Sequence, residues 1–498
     1  MEEDRRRKKP NELYDVIIDV NLNYPDGREA ALKQIHRWID EIKSKSEGVD
    51  DAKGHYSQQY LFGRLRSSTI RELVKIDREQ RNAFEPSSKP AKRAIYRIWL
   101  DFEVTANTNI SISTVKADAA RNAFGALGKD IVWAVVDTGI DDSHPHFKKH
   151  GNLNLNPPLR HRDFTAPNLP DEQSEENALV DVRGHGTHVA GILAGEAWLP
   201  KDTRPNGNPG EPHAEDAPAR EIIAVVSERD EGGTVTQREI KDLKRISGMA
   251  PQCKLLSLKV LDDNGRGLSS NLIAALEYIQ ELNGNGRRIQ VHGVNLSVGY
   301  GFEPEWFACG QSPLCVEVDR LVRSGVVVVV SAGNTGYGFI QAQAQGPVAA
   351  GLDLTINDPG NAELAITVGS THREMPHTYG VSYFSSKGPT GDGRMKPDLV
   401  APGEKIISCT SSRMAGAPAA EAGEAALPIA HYREESGTSM AAPHVSGVIA
   451  AFLSVRREFI GRPGEVKQLF LSTSTDLKRA AYFQGKGLID LMRAIQAV

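Results

Sequence analysis

Short segments rich in apolar residues recur along the last three quarters of the chain. They occupy residues 131–136, 254–261, 291–298, 325–332 and 364–369. Apolar residues at successive positions are typical of strands whose two faces are both buried. Segments between these runs, such as 270–282 and 316–323, instead place apolar residues at helical spacing. Because strands that alternate with helices form parallel sheets covered by helices, the pattern predicts an α/β domain with a doubly wound, mostly parallel sheet.

The first hundred residues follow a different pattern. Strand-like and helix-like stretches are mixed there, in the order strand 14–21, helix 28–43, strand 59–65, helix 67–77 and strand 94–104. Such a mixture predicts a small α+β domain. We place this domain at residues 11–105, after a charged, disordered tail at residues 1–10, and the α/β domain at residues 106–498.

The composition is ordinary for a globular protein: 40% of the 498 residues are hydrophobic, 25% are charged, and the formal net charge is −5. No apolar stretch approaches the roughly 20 residues of a membrane span, and the basic first ten residues lack the apolar core of a secretory signal. The mild acidity gives no reason to expect a nucleic acid. We therefore expect a cytoplasmic protein with neither a membrane nor a nucleic acid as partner.

Four cysteines in so long a chain do not form a disulfide framework. Cys309 and Cys315 bracket a short loop that either closes as a disulfide or stays reduced. Neither has a histidine or a second cysteine pair nearby, so a zinc site is not expected. The sequence gives no reason to expect a cofactor.

One serine stands at the predicted start of a helix. Ser439 follows a Gly-Thr pair and precedes a helical run of small and apolar residues, 440–450. Free N–H groups and the helix dipole favour negative charge there, so a nucleophilic serine would have its own N–H available for an oxyanion. We expect Gly437 to supply a sharp turn and Pro443 to lie in the first turn of the helix. Taken alone, such a serine is usually an ordinary N-cap.

A base and an orienting acid precede this serine in the chain. Asp137 opens Asp-Thr-Gly directly after a predicted buried strand, and His185 lies in Gly-His-Gly-Thr-His at the start of a second small-residue helix. These motifs, in the order Asp, His, Ser, make the chain resemble the subtilisin family (subtilases), serine endopeptidases whose triad has this order. Asn334, in Ser-Ala-Gly-Asn after a run of valines, resembles the family's oxyanion-hole asparagine. The resemblance covers roughly residues 113–498.

The resemblance implies a role for each motif. Ser439 would attack the peptide carbonyl, His185 would take up its proton, and Asp137 would orient the imidazole. Asn334 and the Ser439 N–H would bind the oxyanion. Peptide or protein substrates would pair along two edges of the site. The pocket for the residue before the cleaved bond would have one wall at Ser297, Val298 and Gly299 and another at Ser331, Ala332 and Gly333.

The resemblance also bears on the rest of the chain. Residues 11–105 resemble, less specifically, the family's prodomain, which implies that the N-terminal domain is an inhibitor and folding chaperone. Self-cleavage is then expected between Asp101 and Ile110; the alternative is a recognition module that stays attached. Residues 200–245 and 411–433 are insertions relative to the family. The first is Pro/Gly-rich and then charged and helix-like. The second contains an Ala/Glu/Gly-rich stretch, residues 414–429, that predicts a loop.

The same motifs occur in two further classes of site, both of which fit this chain less well. Asp-Thr-Gly also marks aspartic proteases, but these need a second such carboxylate in an all-β fold, and neither is present. His185 and His188 are spaced like metal ligands, but the glutamate of the H-E-x-x-H motif is missing, so His188 is expected to be a packing residue. Many relatives bind calcium through an acidic residue where this chain has His146, and through a loop that the first insertion replaces. The usual calcium site is therefore not expected.

Three functions are compatible with these features. The one we predict is an active endopeptidase made as a self-inhibited precursor, because all four catalytic positions are intact. A catalytically silent binding protein with the same fold is the first alternative. A dedicated processing protease with one cognate substrate is the second.

Overall fold

The computed structural model describes residues 13–25, 27–50, 59–79, 93–100, 110–166, 168–199, 219–229, 234–305, 307–342, 346–415 and 428–498. The chain divides into two compact units, Met1–Ala106 and Asn107–Val498. The predicted tail at residues 1–10 lies outside the described residues. So does the segment predicted for self-cleavage, except for Ile110.

The first unit is a four-stranded antiparallel sheet with two helices. Its elements are β1 (Leu13–Val20), α1 (Gly27–Ile42), β2 (Gly48–Val49), β3 (Tyr60–Arg66), α2 (Ser67–Glu79) and β4 (Ile95–Leu100). The strands are ordered β2-β3-β1-β4. Val16 and Ile18 of β1 pack in the core with Ile35 and Ile39 of α1. The predicted mixture of strands and helices is confirmed; β4 is described as far as Leu100, and residues 101–104 of the predicted last strand lie outside the described residues.

The second unit contains the remaining helices and strands. Up to residue 259 they are α3 (Ile110–Thr114), α4 (Ala117–Phe124), β5 (Val132–Asp137), β6 (Arg162–Asp163), α5 (Asp171–Ala178), α6 (His185–Leu193), β7 (Glu196–Trp198), β8 (Glu221–Arg229), β9 (Val235–Ile240), β10 (Arg245–Ser247) and β11 (Lys254–Lys259). Then follow α7 (Ser269–Leu282), β12 (Gly293–Leu296), α8 (Pro313–Arg323), β13 (Val327–Ser331), β14 (Tyr337–Ala342), β15 (Gly346–Gly351), β16 (Ile366–His372), α9 (Pro376–Tyr379), β17 (Leu399–Glu404), β18 (Ile406–Cys409), β19 (Ile429–Glu435), α10 (Thr438–Val455), α11 (Pro463–Thr473), α12 (Ala481–Gln484) and α13 (Leu491–Gln496).

Seven of these strands form a parallel sheet in the order β17-β16-β13-β12-β5-β11-β6. Neighbouring residues of a strand pack into two different core clusters. In β5, Val135 belongs to one cluster and Val136 to the other, and in β13 the same holds for Val329 and Val330. Both faces of the sheet are therefore buried, which explains the runs of consecutive apolar residues. The predicted α/β class with a parallel sheet is confirmed.

Helix α10 packs against β12, β13, β16 and β17 and against helix α6. Its small residues, among them Ala441, Ala442 and Gly447, are all buried. By length and composition this helix could cross a membrane, contrary to our expectation from the sequence, but 83% of it is buried inside the unit. It is therefore a core helix. Its first turn lies at the edge of the sheet where the strands have their carboxyl ends.

The two predicted insertions meet in a second sheet, ordered β18-β19-β8-β9. Strand β19 pairs in parallel with β8, from Ile429 opposite Glu221 to Arg433 opposite Val225. The prediction of a charged helical run up to residue 245 is wrong, because β8, β9 and β10 occupy it. The prediction of a loop at 414–429 is wrong only at Ile429, the first residue of β19, and residues 416–427 lie outside the described residues. The partner that stabilises β8 lies about 200 residues away, where no local pattern reveals it.

Candidate active site

A groove of about 830 Å³ lies at the carboxyl edge of the parallel sheet. Strands β5, β12 and β13 end at this edge, which is where sites form in open α/β sheets. His185, Ser297, Ser331, Asn334 and Ser439 all line the groove. The structure thus brings together residues that are up to about 250 positions apart in the sequence.

Asp137 and His185 form a close pair in this groove. Asp137 is the last residue of β5 and its side chain is fully buried, whereas the side chain of His185, the first residue of α6, is 26% exposed. His185 Nδ1 donates to Asp137 Oδ1 over 2.7 Å. The approach of α6 to the turn after β5 requires a glycine, because a Cβ at Gly186 would lie 2.1 Å from the Gly139 carbonyl oxygen.

Neighbouring carboxylates set the charge of the imidazole. Burial lowers the pKa of His185, but Asp137, with smaller contributions from Glu435 and Asp181, outweighs burial and raises this pKa to about 9. Because Nδ1 is occupied by Asp137, Nε2 is the nitrogen that can accept a proton once the ring is neutral. The pair has the arrangement of a general base and its orienting acid.

A second buried carboxylate, Asp181, fixes the start of α6. It accepts hydrogen bonds from the Thr138 hydroxyl at 2.9 Å, from the Gly184 N–H at 2.7 Å and from the Thr187 N–H at 2.8 Å. It therefore ties the helix start to the turn after β5. Asp181 was not among the residues predicted from the sequence. An acidic residue shortly before a helix start is a recognisable capping signal that could have found it.

Ser439 is the second residue of α10. Its hydroxyl donates to the Ser297 carbonyl oxygen at 3.1 Å, and no hydrogen bond between described residues joins it to His185. The sharp turn expected at Gly437 is not found, since φ is 163° and the backbone is extended. A Cβ there would lie 3.4 Å from Asn334 Nδ2, an ordinary van der Waals contact, so the approach of Asn334 does not by itself require a glycine.

Pro443 does not lie in the first turn, as we expected, because it is the sixth residue of α10. Proline has no N–H, so the carbonyl of Ser439, four residues earlier, lacks its helical partner. The Ser297 hydroxyl donates to this carbonyl at 2.9 Å and itself accepts from Asn295 Nδ2 at 2.8 Å. Ser297 therefore holds the backbone of the serine from the neighbouring strand end.

The side chain of Asn334 is oriented by Thr438. Asn334 Oδ1 accepts from the Thr438 N–H at 2.9 Å and from the Thr438 hydroxyl at 3.0 Å. The Thr438 hydroxyl in turn accepts from the Gly333 N–H at 3.1 Å. With its oxygen engaged, the amide presents Nδ2 as a donor beside the start of α10. The N–H of Ser439, among the first of the helix, is a second donor that lacks a helical partner.

The two predicted walls lie at this groove, with one exception. Ser297, Val298, Gly299, Ser331 and Gly333 line it. Ala332 is fully buried behind it, where its N–H donates to the Val368 carbonyl oxygen at 2.9 Å. Lining residues that were not predicted from the sequence include Arg183, Leu268, Leu272, Asn357, Arg433 and Glu435. Most of these carry no motif of their own.

The other histidines that the sequence singled out are buried and bonded within the protein. His188 Nε2 is 3.2 Å from the Arg433 carbonyl oxygen. His146 Nε2 donates towards the Ala194 and Gly191 carbonyl oxygens at 3.0 and 3.2 Å, and the Tyr432 hydroxyl lies 3.0 Å from its Nδ1. The imidazole is therefore held within the protein, at the sequence position where the resemblance to subtilases places an acidic calcium ligand. Among the described residues no group of three or more His, Cys, Asp or Glu could hold a metal ion, and all four cysteines are free thiols.

Known proteins share the part of the chain that forms this groove. The sequence model of the subtilase family matches residues 128–487. Subtilisin E of Bacillus subtilis (strain 168) is 25% identical over 452 residues, 91% of this chain and 86% of that protein. Serine protease AprX of the same strain is 28% identical over 391 residues (77% and 70%), and its major intracellular serine protease is 30% identical over 349 residues (70% and 76%). The matched family region contains every residue that lines the groove.

Proposed function

The chain belongs to the subtilase family, and we propose that it is a serine endopeptidase whose catalytic residues are Asp137, His185, Ser439 and Asn334. The observation that carries this proposal is the 2.7 Å hydrogen bond between buried Asp137 and His185, beside a serine at a helix start. The three relatives named above support hydrolysis of protein or peptide substrates.

In the proposed reaction the hydroxyl of Ser439 exchanges one hydrogen bond for another. It gives up the Ser297 carbonyl and donates to His185 Nε2. His185 then removes the proton as Ser439 Oγ attacks the scissile carbonyl, and later returns it to the leaving amine. Asp137 keeps the ring in the required tautomer and stabilises the imidazolium. Hydrogen bonds in free active sites are often long or misdirected before substrate binds.

The negative charge on the tetrahedral intermediate needs donors that are already in place. Asn334 Nδ2 and the Ser439 N–H are suited to this role, because Thr438 holds the amide and the helix start holds the N–H. Five of the six wall residues would bind the peptide around the cleaved bond. Ala332 would contribute through the backbone it supports rather than through a surface of its own.

We further propose that the enzyme is made as a self-inhibited precursor. The match to Subtilisin E covers 91% of this chain, more than the second unit alone can provide, so it extends into the first unit. Cleavage would fall between Asp101 and Ile110 and leave the first unit as inhibitor and chaperone. We propose a cytoplasmic location, in line with the relative that is named an intracellular serine protease.

Mass spectrometry of the wild-type chain and of its Ser439→Ala variant tests these proposals together. We expect the wild-type chain to hydrolyse added peptides, to cut itself within residues 101–110, and to be labelled at Ser439 by a fluorophosphonate probe. Ser439→Ala and His185→Ala should remain folded and lose activity. A wild-type chain that neither reacts with the probe nor cleaves any peptide would instead be a silent binding protein. An active enzyme that leaves its own chain intact would retain the first unit as a recognition module.

A further inference from the structure

The charged residues of the groove have an excess of positive charge. Among the described residues that line it, the charged ones beside His185 are Arg183, Arg266, Arg433 and Glu435. Arg433 and Glu435 form an ion pair and neutralise each other. The other two leave the groove positive in a chain whose formal net charge is −5.

Arg183 stands out because the carboxylates near it are already engaged. Asp181, two residues earlier, is buried and accepts four hydrogen bonds, from the Thr138 hydroxyl, the Gly184 N–H and both the N–H and the hydroxyl of Thr187. Glu435 is paired with Arg433. Asp262 accepts from the backbone N–H groups of residues 266 and 264, and these hydrogen bonds, with a smaller contribution from the charge of Arg266, lower its pKa. Within the described part of the chain, no carboxylate forms an ion pair with Arg183.

The stem of Arg183 has a neighbour in the turn at Gly265. Its Cγ and Nε lie 3.6 and 3.5 Å from the point that a Cβ would occupy on Gly265, so the side chain lies against that turn. Gly265, Leu268 and Arg183 all line the groove. Arg183 thus lies at the groove with its stem against this turn, two residues before His185 in the chain.

The direction of a bound peptide then identifies the residue that meets Arg183. Successive side chains of an extended peptide point to opposite sides. If the residue before the cleaved bond enters between the two walls, its neighbour on the amino-terminal side points away from them, towards His185 and Arg183. We propose that Arg183 selects an anionic side chain at this second position before the cleaved bond (P2). This inference rests on the proposed peptidase function and specifies its substrate class.

The expected size of the preference follows from electrostatics. Two unit charges about 4 Å apart attract by about 1 kcal/mol in water and by more where water is excluded. We therefore expect peptides with glutamate at P2 to be cleaved with about tenfold higher kcat/KM than peptides with glutamine there. Because Arg183 is exposed, salt should weaken this preference.

Fluorogenic peptides that differ only at P2 test the proposal. The P2 residues are Glu, Gln, Lys, Ser and phosphoserine, and the enzymes are the wild-type chain, Arg183→Gln, Arg183→Glu and, as control, Arg287→Gln. Arg287 is an exposed residue between α7 and β12, at the amino-terminal edge of the sheet, and its replacement changes net charge equally. We expect a Glu/Gln ratio of about 10 in the wild type and the control, about 1 in Arg183→Gln, and a preference for Lys in Arg183→Glu.

Each of the remaining outcomes has a definite meaning. A Glu/Gln ratio near 1 in the wild type, or a ratio that Arg183→Gln leaves unchanged, would overturn the role of Arg183 while peptidase activity itself stands. A phosphoserine/serine ratio well above the Glu/Gln ratio would assign the preferred anion to a phosphorylated residue. Failure to cleave any peptide, with no probe labelling of Ser439, would overturn the proposed function itself.

The chain's own sequence supplies one more substrate. A synthetic peptide of residues 97–112 contains two carboxylates, Asp101 and Glu103, and no lysine or arginine beyond its first residue. An anionic P2 selects the bonds after Phe102 and after Val104. We expect cleavage at these bonds, and slower cleavage after Val104 when Glu103 is replaced by Gln. Preferred cleavage at any other bond of this peptide would contradict the P2 assignment.

Discussion

The link between Pro443 and Ser297 can be tested by a double-mutant cycle. Proline removes the helical partner of the Ser439 carbonyl, and the Ser297 hydroxyl replaces it at 2.9 Å. Ser297→Ala removes this donor and also the acceptor of Asn295 Nδ2. Pro443→Ala restores an N–H four residues after Ser439, where the helix can use it. The second change should therefore compensate part of the first.

The magnitude follows from the two hydrogen bonds. Ser297 is 3% exposed and Asn295 is fully buried, so water cannot easily replace either partner. A buried polar group left without a partner costs about 1–3 kcal/mol. We expect Ser297→Ala to lower the free energy of unfolding by about 2–4 kcal/mol. In that background Pro443→Ala should recover about 1 kcal/mol, the net value of one intramolecular hydrogen bond, whereas in the wild type the carbonyl already has a donor.

Urea unfolding of a catalytically inactive Ser439→Ala background gives the four free energies without self-digestion. Tryptophan fluorescence is a suitable signal because Trp133 is fully buried in β5. As a control, Ser454→Ala on the same helix should be additive with Pro443→Ala. If the effects of Ser297→Ala and Pro443→Ala on the free energy of unfolding add within about 0.5 kcal/mol, the Ser297 hydroxyl does not substitute for the helical N–H that Pro443 lacks.

Three further predictions concern the site. Asn334→Ala should lower kcat by about 10²–10³-fold, a magnitude taken from a relative in this family, and leave residual activity because the Ser439 N–H remains; unchanged kcat in initial-rate assays would contradict its role. Since the base must be neutral, kcat/KM should rise with pH through about 9, the pKa of His185, and Glu435→Gln should move this rise to lower pH. A chelator should shift the melting temperature by less than about 2 °C. A larger fall in the melting temperature, reversed by added calcium, would show that the protein binds calcium and would contradict this prediction.

The main elements of both units were predictable because their patterns are local. Val132–Asp137 and Val327–Ser331 are apolar at every position but the last, which is the pattern of a strand buried on both faces. The residues of the candidate triad could be predicted from the sequence for a related reason. A catalytic residue at the end of a strand or the start of a helix is flanked by small residues and glycines, and these form recognisable motifs.

Features that depend on distant contacts were not predictable. The charged sequence of β9 gives no strand signal, and the strand exists because β8 pairs on its other side with β19. The position of Pro443 was predicted wrongly because the helix begins at Thr438. The Ser439 carbonyl, which has no helical partner, accepts a hydrogen bond from Ser297 after β12, a contact that the local sequence does not reveal. Arg183 has no motif, and its significance depends on which carboxylates lie near it.

The sheet order has a consequence for synthesis of the enzyme. Helix α10 packs against strands β12, β13, β16 and β17, and the candidate nucleophile follows Asp137 by about 300 residues. At about 5–20 residues per second, about 15–60 s separate translation of the orienting acid from that of the serine. During this interval the growing chain carries an acid, a base and most of the groove without a nucleophile. Until Ser439 has been made, the growing chain cannot attack itself, because the residue that completes the site follows all of its other parts in the sequence.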